Sequence, residues 1–109
     1  MNSDEVIGRS ARLKKTFELL EEIKNRKEKA LIFVVSRKMQ LILVHLLEEK
    51  FNIKILPPVN GIMNGINRQK FIKEFNRTEN FNVLVLSHEA AGVGFIITSA
   101  NYRIGQKKL

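Results

Sequence analysis

Cysteine and tryptophan are absent from this 109-residue sequence, and it holds only two prolines and one tyrosine. Without thiols there is no disulfide framework, no thiolate nucleophile and no Cys-based zinc site, and the isolated His45 and His88 cannot build a His-only one. No metal site is therefore expected. No apolar run approaches the roughly 20 residues of a bilayer span, and Met1-Asn2-Ser3-Asp4-Glu5 lacks a basic stretch followed by an apolar one. The expected setting is intracellular with no membrane contact, cytoplasmic in a bacterium and nuclear in a eukaryote. Acidic residues are also short, 11 against 19 Lys plus Arg, which gives a net charge of +8 and a pI near 10.1. That excess favours a polyanionic partner, either nucleic acid or an acidic protein surface.

What is present alternates in period. Leu13, Phe17, Leu20 and Ile23 recur at three- and four-residue spacing within residues 9–27, behind Ser10 as an N-cap, and predict an amphipathic helix. Ala30 to Ser36 is apolar on both faces, the mark of an interior parallel strand. From Arg37 to Lys50 a second helix follows, with Ser36 as cap, Leu41, Ile42, Val44, Leu46 and Leu47 as a wide buried stripe, and Asn52 as its stop. Ile53 to Leu56 reads as a short strand ended by Pro57-Pro58. A third helix is expected over residues 67–76 and a third strand over 82–87. This order predicts one α/β domain over residues 1–109 with a parallel sheet and right-handed crossovers, and with residues 1–8 as a flexible tail.

Two constellations carry chemistry. Val83-Leu84-Val85-Leu86-Ser87 delivers the loop His88-Glu89-Ala90-Ala91-Gly92-Val93-Gly94 beyond the C-terminal end of a buried strand, where open parallel sheets hold their ligands. Its glycines allow a backbone to approach a phosphate or sugar closely, although a tight turn with no ligand explains the same residues. The second is Asn60-Gly61, then Arg68-Gln69 and a helix carrying Phe71, Ile72, Phe75 and Asn76, which locally is a turn feeding a helix. The charges of the first helix read as a solvated face, so the basic C-terminus with Arg103, Lys107 and Lys108 is the better contact candidate.

Together with the Leu31-Ile32-Phe33 strand and the final Tyr102 to Lys108, these segments resemble the C-terminal motor lobe of the Swi/Snf-type DNA translocases of helicase superfamily two. The resemblance implies a RecA-like fold of three layers, a mainly parallel sheet with helices on both faces. It also implies an ATP site shared with an N-terminal lobe and a groove that tracks duplex DNA. Carried onto this sequence, Gly92 and Gly94 would lie against nucleotide or DNA backbone. Ser87, His88, Lys107 and Lys108 would touch nucleic acid, and Arg103 would be an arginine finger on the γ-phosphate.

The chain departs from that pattern at Ala91 and Ile96, and it joins Asn101 directly to Tyr102 where the family carries a further strand, a tryptophan-bearing segment and another arginine. The loss should expose a sheet edge or force residues 95–100 to substitute. No Gly-Lys-Ser or Gly-Lys-Thr loop and no acidic pair at a strand end occurs, so the phosphate cradle and magnesium site must come from another lobe. Hydrolysis of ATP is not expected from this chain alone. Duplex DNA and an N-terminal ATPase lobe are the expected partners, and ATP with magnesium is expected only when that lobe completes the site. The alternative is a regulatory module that keeps the scaffold, has no catalysis, and binds nucleic acid or an acidic protein.

Overall fold

A side-chain oxygen marks the start of each long helix. In the computed structural model, which describes residues 3–59, 64–87, 97 and 99–106, helix α2 (Ala11–Asn25) starts at Ser10, whose Oγ accepts from the Leu13 amide at 3.3 Å. Helix α3 (Arg37–Phe51) starts at Ser36, bonded to the Met39 amide, and α4 (Gly65–Arg77) at Asn64, bonded to the Asn67 amide at 2.8 Å. Each such cap satisfies an orphan donor and is worth about 1 kcal/mol. At the far end of α3, Asn52 takes the left-handed conformation at φ 53°, the stop expected of it.

Three parallel strands, β1 (Lys29–Val34), β2 (Asn82–Leu86) and β3 (Tyr102–Gln106), form a sheet in the order β2-β1-β3. Alternation along the strands divides the core in two. Ala30, Ile32, Val34, Val83 and Val85 pack against α2 and α3 through Leu13, Phe17, Leu20, Ile23, Leu43, Leu47 and Phe51. Leu31, Leu84 and Leu86 face the other way, onto Ile72 and Phe75 of α4 with Leu56, Val59 and Ile97. The result is the expected three-layer α/β arrangement with helices on both faces. α4, 13 residues at 1.5 Å each, is about as long as the six-residue β1, so the layers match in depth.

The structure differs from the sequence reading at four places. Residues 53–56 are not a strand: the Ile55 amide is taken by the Glu48 carboxylate at 3.2 Å, and with Pro57 and Pro58 lacking donors only Val59 bridges to Leu86. Leu41 is 64% exposed, because the buried face of α3 centres on Gln40, Leu43, Leu47 and Phe51. Within the expected tail, Ser3–Gly8 forms the short helix α1, with Ile7 buried and Asp4 bonded to Lys50 at 2.9 Å. The edge of β1 is not left exposed, and residues 95, 96 and 98 lie outside the described residues. Tyr102–Gln106 itself pairs with β1, and Ile97, Ser99 and Ala100 are outside any strand.

Tyr102 explains that substitution. Its hydroxyl accepts from Arg26 Nη1 at 2.7 Å and donates to Glu28 Oε1 at 3.0 Å, and the Asn101 amide bonds the Lys29 carbonyl at 3.0 Å. The strand is pinned at its first residue to the turn that enters β1.

Candidate nucleic-acid and lobe interface

Helix direction sets the charge of the sheet's two ends. α3 leaves β1 directly through Val35 and Ser36, so its N-terminus lies at the C-terminal edge of the sheet. α2 ends at Asn25 beside the start of β1 and runs back along it. α4 ends at the same level as α2, since the Lys29 ammonium donates to the Phe75 carbonyl at 2.9 Å and reaches the Asn76 carbonyl at 3.5 Å. All three N-termini therefore face the C-terminal edge, where their dipoles sum to positive potential.

The first turns sharpen that field. None of α2, α3 and α4 has an acidic residue in its first turn. The same turns hold Arg12 and Lys14, Arg37 and Lys38, and Arg68, followed closely by Lys15 and Lys70. Cations at a helix N-terminus oppose the dipole and cost stability, typically about 0.3–1 kcal/mol each where exposed, a cost that an anion at this edge would offset. Sequence reasoning takes the cations of the first helix for a solvated face. The usable signal is the missing Asp and Glu after each of Ser10, Ser36 and Asn64.

Apolar side chains interrupt the same edge. Val35, just beyond β1, is 59% exposed, and Leu41 in the second turn of α3 is likewise open. Behind them the edge is rigid. Gln40 is buried and donates from Nε2 to the Val34 carbonyl at 2.9 Å, which fixes α3 to the last residue of β1. Val59 donates to the Val85 carbonyl and accepts from the Ser87 amide, each at 2.9 Å, which extends the ladder past β2. Sequence patterning gives no sign of Gln40, a polar residue in a helix judged by its apolar stripe.

Of the predicted site residues, Ser87 lies at this edge, buried at the end of β2. His88, Gly92, Gly94, Lys107 and Lys108 lie outside the described residues, as do Asn60 and Gly61. Arg103 is exposed and lies within β3 in register with Leu31, on the α4 face of the sheet. Ser87 follows the Leu86↔Phe33 pair and so stands level with Val34, two strands from β3 and three residues further along. At 3.3 Å per residue and 4.8 Å per strand, the Ser87 and Arg103 backbones are about 14 Å apart. The sheet does not bring the two together.

Phe75 and Asn76, part of the sequence pattern, prove to be supports. Phe75 is fully buried and stacks under the Lys29 ammonium, while the Asn76 side chain accepts from Ser99 Oγ and ties the approach to β3 onto α4. Among the described residues no group of three or more His, Asp or Glu can hold a metal ion, and no helix is long and apolar enough to cross a membrane. The helix N-termini and their cations fit phosphate oxygens. Nothing among the described carboxylates fits magnesium.

Residues 7–105 match the family described as the helicase conserved C-terminal domain. The putative ATP-dependent helicase/translocase YwqA of Bacillus subtilis (strain 168) is 34% identical over 97 residues, 89% of this chain and 10% of that protein. A Caenorhabditis elegans homolog of the SWI/SNF-related, matrix-associated, actin-dependent regulator of chromatin subfamily A containing DEAD/H box 1 is 34% identical over 88 residues, 79% of this chain and 8% of that protein. The chain thus spans about a tenth of the curated relatives it matches. The Sulfolobus solfataricus SWI2/SNF2 ATPase C-terminal domain superposes with a TM-score of 0.80 at 29% identity, over 91% of this chain and 43% of that one. The ATPase core of the same type in complex with dsDNA shares the fold, with a TM-score of 0.68 at 18% identity over 94% of this chain and 27% of that one. Motif order, three-layer topology and these matches agree, and the chain belongs to the helicase conserved C-terminal domain family as a RecA-like lobe of the Swi/Snf type.

Proposed function

We propose that this lobe works as one half of a DNA-dependent ATPase, with its C-terminal sheet edge turned toward duplex DNA and toward an N-terminal lobe. The observation that carries the reading is the set of first turns in α2, α3 and α4, basic and without an acid, gathered at one edge. Such an edge attracts a phosphate backbone through released counterions, with affinity that falls steeply with salt. In this reading Ser87, His88, Lys107 and Lys108 contact phosphates, and Gly92 and Gly94 let the loop backbone approach DNA or nucleotide. Val35 and Leu41 give the partner lobe an apolar foothold. Nucleotide phosphate would be held between the lobes, with magnesium ligands supplied by the partner lobe and Arg103 as the residue to test for a finger role.

Adding the N-terminal lobe of a Swi/Snf-type ATPase to the purified chain tests this directly. DNA-stimulated ATP hydrolysis that requires both polypeptides is the expected result, and a mixture that stays silent with DNA present rejects it. A second reading, a binding module without catalysis, draws support from the strand position of Arg103, well short of the sheet edge. Under that reading the mixture binds DNA with a salt-dependent affinity and hydrolyses nothing.

A further inference from the structure

Along its outer face, from the sheet edge toward the opposite end, α4 carries a second surface. Ile66, Lys70, Lys73 and Arg77 recur at spacings of four, three and four residues, which places them within about 60° of one another around the helix axis. The buried Ile72 and Phe75 occupy the opposite side. Ile66 is 82% exposed, the most open large apolar side chain among the described residues. Lys70, Lys73 and Arg77, with Glu74 beside them, line a shallow concavity of about 380 Å³. Among the described residues, none of these four charged groups makes an ion pair. Three cations thus stand along one groove with one carboxylate set between them and an apolar residue at one end.

From this pattern we infer that the outer face of α4 is a docking surface for an acidic, amphipathic protein segment. Charge complementarity selects the occupant. Three bases call for acidic side chains at helical spacing, Glu74 calls for a single cation among them, and Ile66 for an apolar residue at the end. A DNA backbone has nothing for Ile66 and repels Glu74. The stripe begins near the phosphate edge at Ile66 and leads away from it, because Arg77 lies at the end of α4 held by Lys29, at the opposite end of the sheet from the N-termini. The stripe is about 17 Å long, the length of three helical turns.

The test uses the full chain, isotopically labelled, and a synthetic helical peptide carrying Glu at three positions spaced as Lys70, Lys73 and Arg77, one Lys opposite Glu74 and one Leu opposite Ile66. Amide shifts confined to residues 65–77 are expected, with affinity lowered about tenfold in the K70E/K73E/R77E variant, since exposed pairs are worth a few tenths of a kcal/mol each. Glu74→Lys paired with a peptide whose Lys is changed to Glu should recover binding, a readout that loss of folding cannot imitate. Shifts elsewhere, a charge-reversed variant that binds unchanged, or a short DNA duplex that takes the same α4 residues in preference to the peptide would each overturn the inference.

Discussion

The Lys29 ammonium sits 4.9 Å from the centre of the Phe75 ring while donating to the carbonyl of the same residue. One side chain from the first position of β1 thereby caps the C-terminus of α4, where a cation is favoured by the helix dipole and by the exposed last carbonyls. Because α4 is anchored there, its N-terminus is aimed at the opposite edge of the sheet.

Lys29→Met should cost about 1–3 kcal/mol in urea unfolding, the penalty for leaving the Phe75 and Asn76 carbonyls without their donor. Burial lowers the Lys29 pKa from its ordinary value. The folded chain therefore holds that proton less tightly than the unfolded chain, and stability rises with pH between the lowered value and the ordinary one near 10.4. The increment is complete above the ordinary value and lost as pH falls through the lowered one. Comparing both proteins at pH 8 and near pH 10.5 should show the deficit of Lys29→Met widening with pH; a deficit that narrows contradicts this account.

Lys27→Gly should stabilise the chain by about 0.5–1 kcal/mol. Lys27 has φ 58°, with its amide on the Lys24 carbonyl and the Glu28 amide on the Ile23 carbonyl, a Schellman stop built without glycine. Left-handed backbone costs an L-residue roughly 1–2 kcal/mol, only partly offset by the greater unfolded-chain entropy of glycine. A rise in the melting temperature is the readout.

Tyr102→Phe removes the hydroxyl that joins Arg26 to Glu28 and leaves the ring in place. Hydrogen exchange should quicken in residues 102–106 and remain unchanged in β2. Equal protection in both proteins would mean that backbone pairing with β1 suffices to hold the edge strand.

Reversing Arg37 and Lys38 to Glu should weaken duplex binding and flatten the plot of log affinity against log salt by about 0.9 for each phosphate no longer neutralised. Arg103→Ala discriminates between the two functional readings. In the mixture with an N-terminal lobe, it abolishes hydrolysis if the guanidinium is a finger, and at most trims the salt slope by about one if it only touches a phosphate.

Much of the fold was legible because local signals agreed with tertiary demands. Ser10, Ser36 and Asn52 cap the helices as expected, the doubly apolar run at Ala30–Val34 became the central strand, and Val83–Leu86 became a strand beside it, buried on both faces. The strand expected at residues 53–56 failed because the sequence does not say where an amide will find its acceptor, and Glu48 reached Ile55 first. Leu41 shows the limit of apolar counting: a helix has room for one buried face, and the seven apolar residues in Arg37 to Lys50 exceed it.

The candidate site divides along the same line. Sequence alone determined the family resemblance, the α/β alternation and the surplus of cations, since these follow from residue type and spacing. Tertiary structure decided that Tyr102–Gln106 becomes a strand, which draws Arg103 into the sheet and about 14 Å from Ser87, because long-range pairing with β1 outweighs any local preference of so short a segment. It also decided that three helix N-termini share one edge. Charge scattered along a chain becomes a field only when packing fixes helix direction.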